Sequence, residues 1–335
     1  MKQQTSFDSP FSRKNNLKPI YVGIAALFVI LISVFFYQFK FIKPTAQQIP
    51  PIAIKKDTVP STPDTLFTFV VPHDVIIKDY FTFIDSVKSS YDSLLPYKLT
   101  EYILVRNNPF IIDTLENTDY DRMKLRDSFV YDQKQMVVLK RGDVLKIPTL
   151  AIADTLTAKM ARTRLDVNIP EFKLRIIEGA DTVYTFPIRV GQNRKRYLSE
   201  VGREISLKTR TGSGYIAMNY KKDYFIDPVE GKKFTSTKRD DGKRTLMPLQ
   251  PWLEPKMEGG QAWGQLIHPT TNPSSMGKAY SNGCIGMHEA DIWRLYYYAP
   301  VGTKVDVRYN LTVRGEKGDT IQLEDVYSPK KMIFK

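Results

Sequence analysis

Apolar positions fall into several distinct patterns along the 335 residues. Pro19 to Phe39 is an uncharged run of 21 residues, which at about 1.5 Å per residue of helix covers roughly the hydrocarbon thickness of a bilayer. It predicts a transmembrane helix at 19–39, after a short cytoplasmic N-terminus at 1–18. The run ends in Phe-Phe-Tyr-Gln-Phe with no small-x-small site, which favours a retained anchor over a cleaved signal. Residues 40–64 follow as a stalk. Five prolines between Lys43 and Asp64 stop helix and ladder alike, and an extended form would reach about 70 Å at ~3.1 Å per residue.

From 65 to 163 the pattern predicts a small α+β domain. Leu66–Val71 reads as a strand and Val75–Leu95 carries a helical period, whereas Ile103–Val105, Phe110–Ile112, Phe129–Val130 and Met136–Leu139 read as short strands or half-buried segments. From Leu165 the texture changes to alternation. Leu165–Ile169, Lys173–Ile177 and Thr182–Val190 read as successive strands joined by turns at Pro170–Phe172 and Glu178–Asp181. Further β segments are expected at Tyr215–Asn219, Gly264–Ile267 and Lys304–Tyr309, with one helix, Glu289–Tyr298, stopped by Pro300 and Gly302. Residues 164–310 are thus expected to form a mostly β domain with one or two helices, followed by a C-terminal β extension at 311–335.

Composition narrows the function. With 42% apolar residues the chain can build a full core, and the net charge of +13 divides into +5 over the first 43 residues (six basic, one acidic) and +8 over the rest. No Lys/Arg-rich run with interleaved aromatics appears, so a nucleic-acid groove is not expected; the modest excess suits an anionic wall or membrane surface. Four basic residues precede the apolar run, but Lys40 and Lys43 follow it, so the charge bias toward an inside N-terminus is small. The bulk of the chain is then expected outside the cytoplasm, on the cytoplasmic membrane as a single-pass protein. The chain has one cysteine, which excludes an internal disulfide framework and a Cys-rich zinc site.

That cysteine, Cys284, stands in Ser281-Asn282-Gly283-Cys284-Ile285-Gly286-Met287, with fifteen residues between it and His268. A thiolate near an imidazole can perform acyl transfer, and Gly283 permits a tight turn that aims successive N–H groups at an oxyanion. The residues alone equally describe a small buried hydrophobe and an unrelated loop histidine. Of the remaining histidines, His288 reads as a first-turn residue and His73 is isolated.

The stretch Leu165–Tyr309 resembles an L,D-transpeptidase catalytic domain of the YkuD type. The resemblance is carried by the strand, Pro-Glu-Phe, strand opening; by Thr209-Arg-Thr-Gly212; by Ile267-His268 ahead of the gap; by Ser281-x-Gly-Cys284-Ile285; and by the ending Pro300–Val305. It implies a cysteine-dependent acyltransferase of peptidoglycan, with Cys284 as nucleophile, His268 as base, and Gly283, Asn282 and Ser281 as oxyanion or supporting residues. No cofactor or metal is implied. The implied partners are peptidoglycan stem peptides, with a neighbouring stem, a lipoprotein lysine or water as acceptor; water would make an L,D-carboxypeptidase or amidase. The other reading is a wall-binding protein with a degenerate site.

Three positions depart from the family pattern. Asn282 replaces a histidine, Gly286 replaces the usual arginine, and Pro269 stands where Gly or Ser is common. Arg294 reads first as a solvent-facing helix charge and otherwise as a replacement for the missing arginine. Val138–Pro148 resembles the end of a LysM glycan-binding repeat, and the tail from Tyr309 to Glu324 resembles the extension of a subgroup with such a module upstream that includes lipoprotein-tethering enzymes. Tyr220–Gly260 reads as a lid over the cleft or as an insertion without catalytic motion.

Overall fold

The computed structural model describes residues 67–199, 202–258, 265–315 and 317–328. The expected N-terminal segment, membrane helix and stalk at 1–64 lie outside the described residues, as do Gly259 and Gly260 and the chain beyond 328. Among the described residues no helix is long and apolar enough to cross a membrane.

The first strand, β1 (Phe67–Val70), leads into β2 (Val75–Ile76) and then α1 (Ile77–Tyr91). Ile77, Tyr80, Phe81, Ile84, Val87 and Tyr91 recur at three- and four-residue intervals and are all buried, so the predicted helical period is real and defines one apolar face. Ile103–Val105 and Phe110–Ile112, expected as short strands, are instead helical, in α2 (Glu101–Arg106) and α3 (Phe110–Glu116). The reason is local: the Thr100 hydroxyl accepts the Ile103 N–H at 3.2 Å and caps α2, and Pro109 starts α3. A run of consecutive apolar residues cannot distinguish a buried helix from a buried strand. Phe129–Val130 is neither helix nor strand; Phe129 sits edge-on to Tyr120 of α4 (Tyr120–Lys124).

The strand β3 (Val137–Leu139) pairs with β2, and β4 (Val144–Ile147) pairs antiparallel with β1. Buried Asn108 holds the β4 edge, accepting Lys146 N–H at 2.8 Å and donating to its carbonyl at 2.9 Å. Helix α5 (Leu150–Ala161), capped by Thr149, then delivers the chain to the main sheet.

That sheet has eight strands. β5 (Thr163–Asn168), β6 (Lys173–Glu178) and β7 (Asp181–Pro187) form the predicted meander, and the turn between β5 and β6 places Phe172 at φ 52°. Short β8 (Val190–Gly191) and the hairpin β9 (Lys195–Leu198) and β10 (Arg203–Ser206) precede β11 (Gly212–Lys222). The excursion after β11 contains two small hairpins, β12 (Phe225–Ile226) with β13 (Lys233–Phe234) and β14 (Ser236–Lys238) with β15 (Arg244–Leu246). It returns as β16 (Gln250–Met257), which pairs with β11 in the middle of the sheet. Tyr220–Gly260 is therefore not a lid as a whole, because its two ends are central strands. Pro255 lacks a ladder donor, and the register shifts opposite it between Ile216 and Met218.

The remaining elements are β17 (Ile267–Pro269), β18 (Ala279–Ser281), β19 (Ile285–Met287), α6 (Glu289–Tyr298) and β20 (Lys304–Arg308). The order across the sheet is β19-β17-β16-β11-β20-β5-β6-β7. A last hairpin, β21 (Thr312–Arg314) with β22 (Thr320–Gln322), leads to Tyr327, whose ring stacks on Tyr309 at 5.3 Å.

One apolar core runs through both halves of the described chain. Fully buried Trp293 of α6 stacks on Phe81 at 5.9 Å and meets Tyr80 edge-on, while the Tyr80 and Tyr297 hydroxyls hydrogen-bond at 2.7 Å. Arg106 pairs with Glu178 at 2.6 Å across the same junction. Replacing Trp293 by Ala is expected to remove about 3–5 kcal/mol of stability and to weaken both halves in one cooperative transition. Urea unfolding followed by fluorescence and far-UV circular dichroism checks this; separate transitions for the two halves would contradict the shared core.

Candidate active site

The fifteen-residue gap between His268 and Cys284 is a crossover between neighbouring parallel strands. Ile267 pairs with Ile285 and His268 with Gly286, which sets the histidine one strand away from the residues that immediately follow the cysteine. Midway through the crossover, β18 pairs in parallel with β8.

His268 is buried, with its ring parallel to Trp252 at 4.5 Å. Its Nδ1 lies 2.7 Å from the Pro269 carbonyl oxygen. A carbonyl only accepts, so Nδ1 carries the proton and the Nε2 lone pair of the neutral ring is left for a donor elsewhere. The backbone carbonyl of residue 269 thus sets the tautomer. Burial pushes the imidazole pKa down to about 3, helped by the positive charges of Arg189 and Lys222 and opposed by the Pro269 carbonyl. The Lys222 ammonium lies 5.7 Å from the Trp252 ring that covers the histidine.

Cys284 is half-buried at the entry to β19. Its approach is held by backbone contacts. Gly283 adopts φ +111°, which favours glycine. Its N–H donates to Ser281 Oγ at 3.2 Å, and Ser281 Oγ donates to the Cys284 carbonyl at 2.6 Å. Ser281 therefore clamps the turn, and the Gly283 N–H nominated for an oxyanion is already engaged by it. Asn282 is half-buried between them.

Two further residues hold this turn and were not singled out as site residues in the sequence. Thr209 Oγ1 donates to the Gly283 carbonyl at 3.0 Å and accepts the Gly191 N–H at 2.8 Å. A Cβ on Gly191 would fall 2.0 Å from the Leu207 carbonyl oxygen and 2.9 Å from Gly283 Cα, so only glycine fits there. Thr209 belongs to the Thr-Arg-Thr-Gly motif, which was the available signal; Gly191 was readable only as a strand end.

Arg294 fills neither role expected of it. Its guanidinium is bound by Glu116, by Asp113 at 2.8 Å and by the Tyr184 hydroxyl at 3.1 Å, tying α6 to α3 away from Cys284. His288 is the N-cap residue of α6 and His73 meets Phe83 edge-on; neither joins the site. Among the described residues no group of three His, Cys, Asp or Glu side chains is placed to hold a metal ion.

Two cavities flank the turn. A cleft of about 850 Å³ is lined by Lys208, Thr209, Gln265, Gly283, Tyr309 and Tyr327, so the C-terminal extension forms one of its walls. A smaller one of about 320 Å³ is lined by Lys238, Asp240, Ser275, Lys278 and Tyr280.

Comparison with known proteins gives a family. The model of the L,D-transpeptidase catalytic domain, YkuD, matches residues 162–307. A Bacillus licheniformis protein carrying the name L,D-transpeptidase YkuD is 38% identical over 138 residues, which are 39% of this chain and 72% of that protein. Its Bacillus subtilis namesake is 51% identical over 41 residues, 12% of this chain and 25% of the relative's length. Among solved structures, the L,D-transpeptidase (residues 123–326) from Xylanimonas cellulosilytica aligns with a TM-score of 0.30 and 13% identity, covering 75% of this chain and all of that one.

The buried neutral imidazole makes stability depend on pH. Between about pH 6.5 and the folded value of about 3 the unfolded chain binds a proton at His268 and the native state does not, so stability falls on acidification. Between pH 7 and pH 5 the native protein is expected to lose about 2 kcal/mol more than a His268→Gln variant. Urea midpoints at the two pH values measure this, and an equal loss in both proteins would mean that the ring is protonated in place.

Proposed function

As the chain belongs to the L,D-transpeptidase family, we propose that it is a cysteine-dependent acyltransferase of peptidoglycan, with Cys284 as nucleophile and His268 as base. The observation that carries this reading is the parallel pairing of His268 with Gly286, next to Cys284, together with the Nδ1 contact that leaves Nε2 as the acceptor. In the acylation step Nε2 takes the Cys284 S–H proton and the thiolate attacks the carbonyl at the L-centre of the third-position residue of a stem tetrapeptide. The C–N bond to the terminal D-amino acid breaks, and the imidazolium proton goes to the leaving amine. An acceptor amine then gives its proton to His268 and attacks the thioester, forming a new amide and restoring the thiol.

The 850 Å³ cleft has the size of a ligand site and ends at Gly283; we assign the stem peptide to it. The acceptor is a neighbouring stem, giving a 3→3 cross-link, or a lipoprotein lysine, and water in its place would give a carboxypeptidase. The apolar run at 19–39 and the stalk at 40–64 would tether the catalytic domain to the cytoplasmic membrane, facing the periplasm or wall space. Glycan binding by residues 138–148 belongs to the same proposal: Lys140, Arg141 and Lys146 are exposed around the Gly142 turn.

Purified muropeptides incubated with the protein and analysed by mass spectrometry test the reading. Loss of the terminal D-amino acid and a cross-linked, lysine-linked or trimmed product are expected. Cys284→Ala should abolish turnover and the covalent carbapenem adduct, and His268→Ala should slow turnover about 10²–10⁴-fold. Intact tetrapeptides and no adduct with the native protein would overturn the enzyme reading.

A further inference from the structure

Gly286, two residues after Cys284, is a strand residue outside the left-handed region, so backbone conformation does not call for glycine there. Space does. A Cβ on Gly286 would fall 2.5 Å from Arg189 Nε, 2.8 Å from its Cγ and 3.0 Å from its Cδ. The two backbones are also clasped: Arg189 N–H donates to the Gly286 carbonyl at 2.9 Å and Gly286 N–H donates to the Arg189 carbonyl at 3.0 Å. Arg189, in the link between β7 and β8, therefore lays its side chain across the position where the family motif places an arginine of its own.

The guanidinium is held there by neutral groups. Nη1 donates to Ser275 Oγ at 3.0 Å, and Ser275 Oγ donates in turn to the Asn272 carbonyl at 2.6 Å. Nε is buried without a hydrogen-bond partner, and no carboxylate lies in ion-pair range of Arg189 among the described residues. The titratable and charged groups around it are Cys284 at the head of β19, His268 of β17 with Lys222 of β11 behind it, Tyr280 of β18, and Asp240 in the β14–β15 turn. Asp240 is drawn off by the Ser274 N–H, which donates to it at 2.8 Å. An unneutralised cation at low dielectric acts strongly on a nearby ionisable thiol.

We propose that Arg189, seated by the absence of a side chain at Gly286, is the positioning cation that stabilises the Cys284 thiolate formed when the S–H proton leaves. His268 is poorly suited to that charge role, since burial and two neighbouring cations keep its ring neutral. The imidazole moves the proton, and the guanidinium stabilises the sulfur left behind. This rests on Cys284 being the nucleophile, but its readout does not require peptidoglycan turnover.

The chain has one cysteine, so iodoacetamide labelling of the whole protein reports Cys284 alone. The rate of labelling against pH gives the thiolate profile. Arg189→Gln is expected to move its midpoint up by about one pH unit or more and to cut labelling at pH 7 about tenfold, whereas Arg189→Lys should keep much of the native profile. Gly286→Ala, which displaces the guanidinium, should shift the profile in the same direction and serves if Arg189→Gln fails to fold. The exchange variant Arg189→Gly with Gly286→Arg should return the midpoint toward the native value. Superimposable profiles for the native protein, Arg189→Gln and Gly286→Ala would overturn the proposal. The expected shifts in the variants, with no muropeptide turnover by the native protein, would leave it standing and sink the transpeptidase reading instead.

Discussion

The parallel pairing of β17 with β19 is only three residues long, yet it joins the two chemical groups of the site. Ile267 opposite Ile285 buries its apolar end, and His268 opposite Gly286 sets the imidazole beside the strand that begins one residue after Cys284. Three residues of parallel ladder are weak on their own. The pair is supported from both sides: β16 adds Leu253 and Trp252 under β17, and Arg189 closes a reciprocal backbone bridge to Gly286 on the outer edge of β19.

Support also comes from below. β19 leads almost directly into α6, whose Trp293, Leu295, Tyr296 and Tyr297 are fully or almost fully buried. Much of what buries them is contributed by α1 and α2, far away in sequence. The N-terminal α+β segment therefore stabilises the helix that anchors β19, and Arg294, bound to Glu116 and Asp113, ties the same helix to α3. A half-buried guanidinium paired with two acids fixes the geometry of the junction. Its Nε, Nη1 and Nη2 atoms each donate to a protein group, Glu116, Tyr184 and Asp113 respectively.

The sequence showed some of these features plainly and others not at all, for physical reasons. Glu289–Tyr298 was readable because its period is helical and Pro300 ends it; the β5–β6–β7 meander was readable because alternation and short turns carry most of its structure. Ile103–Val105 and Phe110–Ile112 misled because each is a run of consecutive apolar residues too short to show a helical period, leaving Thr100 and Pro109 as the local signs of helix. Cys284 and His268 stood out by type and spacing. Thr209, Gly191 and Arg189 act through contacts across 74, 92 and 97 residues of chain respectively, to Gly283, Gly283 and Gly286, and no local pattern records such a contact.

The glycines near the cysteine show how a motif can be changed at one position without leaving that place empty. Gly283 is needed for its positive φ, Gly191 for the close approach of Leu207 and the Gly283 backbone, and Gly286 for the volume taken by Arg189. Removing a side chain at 286 would ordinarily leave a void at the edge of a packed strand, which is costly in a close-packed interior. Here Arg189, from the link between β7 and β8, fills it and brings the charge that the linear motif lacks. A position-by-position comparison registers a loss at Gly286, whereas the three-dimensional arrangement keeps a guanidinium beside the same sheet edge.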